Sequence, residues 1–129
     1  MDDFIEKDMK EALLALDSMA KRTEKAKEKF AQGTSQYTLQ KNRLNALHIA
    51  SSLISKRLTE SGTADCHSEE DFKNALAPIT SLISKSEKAR TKLAQGTWQH
   101  TMLSNNLKAL HIALPFITNA LSEKNIEIE

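Results

Sequence analysis

Two histidines, His48 and His111, occupy matching segments, Leu44-Asn45-Ala46-Leu47-His48-Ile49-Ala50 and Leu107-Lys108-Ala109-Leu110-His111-Ile112-Ala113. A symmetric imidazole pair is where a metal or haem site would begin, because neutral imidazole is a common ligand. A metal centre between helices also needs donors three or four residues from each histidine. Those positions hold Leu44, Asn45, Ser51 and Ser52 around His48, and Leu107, Lys108, Leu114 and Pro115 around His111, with no carboxylate, His or Cys. The pair therefore reads as imidazoles flanking a core and bonded to neighbours. No metal and no cofactor is expected.

Nucleophilic chemistry has as little to stand on. Cys66 is followed by His67, but adjacency supplies neither the orientation nor the third group that an activated thiol needs. No Gly-rich phosphate loop, Gly-x-Ser-x-Gly elbow or His-Glu-x-x-His occurs. The expectation is a chain without enzymatic activity.

A second repeated pattern is Ala31-Gln32-Gly33-Thr34-Ser35-Gln36-Tyr37-Thr38 against Ala94-Gln95-Gly96-Thr97-Trp98-Gln99-His100-Thr101. Turn, cap and first-turn bonding account for its Gly, Thr and Gln. What differs between the copies is Ser35 and Tyr37 in one, Trp98 and His100 in the other. These four are candidate partner contacts, Trp being a frequent interface anchor.

Charge collects just before both patterns. Lys21, Arg22, Lys25, Lys27 and Lys29 precede the first, and Lys85, Lys88, Arg90 and Lys92 precede the second, against Glu24, Glu28 and Glu87 alone. Complementing helix dipoles explains this distribution, with cations at C-termini and anions at N-termini. An anion site is the sharper reading. It would draw on Lys25, Lys29, Lys88, Arg90 and Lys92, with Thr34 and Thr97 opening two helices whose free N–H groups favour phosphate or carboxylate. Single-stranded nucleic acid would need more stacking residues than Tyr37 and Trp98 provide.

The elements that must position these residues follow from self-similarity. Residues 8–58 align with 71–121 at a constant offset of 63, without a gap, and 24 of the 51 pairs are identical. Two long copies read as an internal duplication rather than as a solenoid of shorter stacked repeats. Gly33, Gly62 and Gly96 divide the chain into four stretches of helix length. Ile5, Met9, Ala12, Leu13, Leu16, Met19, Ala20, Thr23, Ala26 and Phe30 recur at helical spacing in the first stretch. In the second, Tyr37, Leu44, Leu47, Ile54 and Leu58 form the stripe, widened by Leu39, Ala46, Ala50 and Leu53, a face broad enough to need more than one neighbour.

The spacing predicts helices over about 4–31, 34–61, 69–94 and 97–123. Gly33 and Gly96 are expected to close the first and third, Ser68 to cap the third, and Pro78 and Pro115 to kink the third and fourth. The fold class is all-α: a four-helix up-down bundle of two tandem helical hairpins related by a pseudo-twofold axis. Residues 1–129 form a single domain, with hairpin repeats at about 4–61 and 69–123, a linker at 62–68 and a frayed tail at 124–129.

Eighteen Lys and Arg against seventeen Asp and Glu leave a net charge of +1, so bulk charge announces neither a nucleic-acid nor a membrane partner. The uncharged stretch from Ala109 to Ser122 falls short of the roughly 20 residues of a membrane span. The acidic start lacks the pattern of a secretory signal, and a lone Cys suits a reducing compartment. The expectation is a cytoplasmic chain that binds a protein partner or itself, with anion or nucleic-acid binding at the basic end as the alternative.

Overall fold

Apolar residues at three- and four-residue spacing, with Gly33 and Gly96 in turns, build four helices. In the computed structural model, which describes residues 6–59 and 68–128, these are α1 (Glu6–Glu28), α2 (Ser35–Thr59), α3 (Glu69–Thr91) and α4 (Trp98–Ile128). No strand occurs among the described residues. The chain is an all-α helical bundle.

α1 and α3 stop three residues before their expected ends. Each tightens into i→i+3 bonding as it finishes: the Lys29 and Phe30 amides donate to the carbonyls of Ala26 (3.2 Å) and Lys27 (3.1 Å). Lys92 and Leu93 donate likewise to Ala89 and Arg90, both at 3.1 Å. The glycines sit in a separate turn further on rather than closing the helix. The Thr34 amide donates to Ala31 (3.2 Å) and the Thr97 amide to Ala94 (3.4 Å), with φ of 89° at Gly33 and 90° at Gly96. Positive φ at the third turn residue is the type II geometry that favours glycine.

The next helix is capped at once. Thr34 Oγ accepts from the Tyr37 amide and Thr97 Oγ from the His100 amide, both at 3.2 Å. Ser68 caps α3 as expected: the Asp71 amide donates to its Oγ (3.2 Å), and its own amide donates to Asp71 Oδ2 (2.9 Å). The remainder of the expected linker, 62–67, and Ile5 lie outside the described residues. α4 runs on to Ile128, through the stretch expected to fray from 124, because nothing after Pro115 is Gly or Pro. Pro78 and Pro115 lie inside α3 and α4, and neither ends its helix.

α1 packs on α2 and α4, α3 packs on α4 and α2, and α2 meets α4 across the centre, while α1 and α3 do not touch among the described residues. The broad apolar face of α2 is therefore covered by three helices. Four small residues of the central pair, Ala46, Ala50, Ala109 and Ala113, are all buried. Around them Leu16, Leu47 and Ile54 are fully enclosed, as are Ile79, Leu110 and Ile117, the residues 63 positions further on. Phe30 and Leu39, expected on the core stripes, are exposed: Phe30 lies beyond the end of α1, and Leu39 on an outer side of α2.

Two outcomes test this packing. Leu47→Ala or Leu110→Ala lowers unfolding free energy in urea by about 2–5 kcal/mol, whereas Leu14→Ala stays within about 0.5 kcal/mol. Gly33→Ala or Gly96→Ala costs about 1 kcal/mol through φ alone, since an added Cβ meets no atom within 4 Å.

Candidate functional site: a groove between α1 and α4

Leu14 and Trp98 are the large apolar side chains left most open among the described residues, 73% and 70% exposed. They flank one groove of about 750 Å³ between α1 and α4, floored by Ala12, Asn106, Ala109 and Ile112. Ala15 and Ser18 on α1 keep its middle shallow in side-chain bulk. Helix spacing explains the α1 wall: residues 8, 11, 15, 18 and 22 recur at three and four, one step round from the core residues Met9, Ala12, Leu16 and Met19.

The groove is electrically graded. At one end Lys108 Nζ lies 3.1 Å from Asp8 Oδ1 and 4.0 Å from Glu11 Oε1. At the other, Arg22 Nη1 donates to the thioether of Met102 at 2.9 Å, beside Gly96 and Trp98. The end of α1 thus lies by the beginning of α4. The counterparts of Leu14 and Trp98, 63 positions away, are the small residues Ala77 and Ser35. The hairpin fold does not demand this apolar surface.

Of the four candidate contacts, Trp98 alone lines the groove. Ser35 is exposed and its hydroxyl donates to Gln36 Oε1 at 3.3 Å. Tyr37, also on the apolar stripe of α2, and His100 are half-buried. Lys27 Nζ sits 5.8 Å from the Tyr37 ring centroid while pairing with Glu24 at 3.2 Å, so that ring is covered by its own hairpin.

The candidate anion-binding side chains lie apart from the groove. Lys25, Lys29, Lys88 and Lys92 are exposed, Arg90 is half-buried with its Nη1 donating to Ser104 Oγ (3.3 Å), and none of them lines the groove. The Thr34 and Thr97 hydroxyls are taken up by capping and by donation to Ala31 (2.7 Å) and Ala94 (2.8 Å). His48 and His111 are exposed rather than bonded against the core. His111 Nε2 does lie 3.9 Å from Glu87 Oε2 on α3, a carboxylate that spacing along α4 could not reveal. No group of three or more His, Cys, Asp or Glu among the described residues is arranged to hold a metal.

Arg43 escaped the sequence reading. Its Nε and Nη2 are buried with no hydrogen-bond partner among the described residues, and burial pushes its pKa down. The signal was present: a cation immediately before the buried run of Leu44, Ala46 and Leu47. Its counterpart at 63 positions is Asn106, in the floor of the groove.

No helix among the described residues is long and apolar enough to cross a membrane. Comparison with protein-family models, with curated proteins and with solved structures finds no match to this chain.

An unpaired, partly stripped guanidinium opposes folding, so Arg43→Met raises stability by about 1 kcal/mol in urea denaturation. A large loss instead would mean that the guanidinium has a compensating partner.

Proposed function

We propose that this chain is a non-enzymatic protein-interaction module: an up-down four-helix bundle, built by duplication of one helical hairpin, that holds an apolar segment of a protein partner in its α1–α4 groove. The observation that carries the reading is the pairing of exposed Trp98 and Leu14 along a groove whose duplicate positions carry Ser35 and Ala77. Two large apolar residues kept in water at one groove and small ones at its equivalent indicate a surface with an occupant. The duplication is supported by the recurrence of enclosed residues at one offset and by the twin turns at Gly33 and Gly96. The up-down course is supported by the Arg22–Met102 and Asp8–Lys108 contacts, in which α1 rises as α4 descends.

The second reading, anion or nucleic-acid binding at the two hairpin tips, draws on the exposed Lys25, Lys29, Lys88 and Lys92. One experiment separates the two. The tagged chain and its Trp98→Ala variant are used for affinity capture from native lysate with and without nuclease, read by mass spectrometry. The groove reading expects a defined protein that survives nuclease and is lost with Trp98→Ala, while the variant's melting temperature stays close to that of the parent. Co-captured proteins that vanish after nuclease, with capture indifferent to Trp98, would transfer the function to the basic tips.

A further inference from the structure

Resting on that reading, we infer that the occupant of the α1–α4 groove is a second copy of this chain, each copy laying its α1 antiparallel in the other's groove across a twofold axis near Ala15. Charge and register along α1 favour this occupant. The groove face of α1 reads Asp8, Glu11, Ala15, Ser18, Arg22. Antiparallel helices that cross at residue 15 bring residue 8 of one copy opposite residue 22 of the other, because both lie seven residues from the crossing. The acidic end, Asp8 with Glu11, therefore meets Arg22 of the second copy, and the same contact occurs twice. Lys108 neutralises only part of the acidic end, and Glu11 remains 54% exposed, so a carboxylate is open to a cation from outside.

The centre of the contact suits close approach. Ala15 and Ser18 are small, and Leu14, 73% exposed, stands beside them, so the two Leu14 side chains meet near the axis. Trp98 lies by Arg22 at one end of the groove and closes over the opposite end of the second copy. A generic apolar peptide would cover Leu14 and Trp98 but has no reason to carry an acid and a base at this spacing. The second copy carries both, and its own α1 has them in the required order.

The test is sedimentation equilibrium of the full chain over a concentration series. Arg22→Glu alone and Glu11→Arg alone each place like charges together in the homodimer and weaken it roughly tenfold or more. Glu11→Arg leaves the Asp8–Lys108 pair in place. Mixing the two variants restores part of the association as a one-to-one heterodimer, because one contact regains its acid and base and at the other the new cation at position 11 meets the new carboxylate at position 22, with Asp8 held by Lys108. Leu14→Ser weakens the dimer without rescue by either. A monomer at every concentration overturns the second copy. If that monomer still captures a Trp98-dependent protein, the groove reading survives alone, and if it captures none, both fall. A dimer indifferent to all three substitutions places self-association elsewhere and overturns the inference.

Discussion

The close approach of α2 and α4 is the constraint on which the remaining structure depends. Ala46 and Ala50 on one helix and Ala109 and Ala113 on the other are buried, and side chains this small let packed helices approach closely. Larger side chains at these four positions would separate the pair. Leu47 and Leu110, with Leu16 from α1 and Ile79 from α3, have essentially no exposed surface. Because α2 and α4 occupy the middle, α1 and α3 are held apart on opposite flanks. Each outer helix faces two neighbours and leaves its remaining sides to solvent.

That arrangement creates two lateral seams, one between α1 and α4 and one between α3 and α2. Residues 63 positions apart differ in kind between these two helix pairs. The α1–α4 seam is floored by Asn106, Ala109 and Ile112 and rimmed by Leu14, Met102 and Trp98, which leaves an open apolar groove. The corresponding positions of the other seam carry Ala77, Leu39 and Ser35, with Arg43 in place of Asn106. Arg43 carries stripped nitrogens on α2, and an open groove runs between α1 and α4. In both, local stability gives way to something other than packing.

Much of the architecture was legible in the sequence. The offset of 63 located the enclosed residues in pairs, the glycines marked both turns, and Ser68 with Asp71 announced the start of α3. The helix ends at Glu28 and Thr91 were not legible, because the apolar period runs on into Phe30 and Leu93 while the backbone has already tightened. The site was legible in part. Trp98 stood out by type, as the only tryptophan and the replacement for Ser35. Leu14 did not: the apolar period leaves it off the core stripe, but nothing within α1 shows that a groove against α4 opens beside it. Tyr37 and His100 are half-buried, and Lys27 of the same hairpin lies over the Tyr37 ring, a contact between helices that variation between the repeats does not reveal. The His111–Glu87 approach depends on the α3–α4 register, which no spacing within one helix encodes.

Trp98 is the sole tryptophan and lies on the rim of the groove, so its fluorescence reports the occupancy of that surface without a label. The most direct measurement is acrylamide quenching of this emission in the dilute free chain and in the associated state, whether a self-associated sample or the captured complex. The account predicts efficient quenching in the free chain and a several-fold smaller quenching constant, with a blue-shifted emission, once the groove is filled. Quenching that remains as efficient in a demonstrably associated sample as in the free chain would contradict it, since the binding surface would then lie away from Trp98.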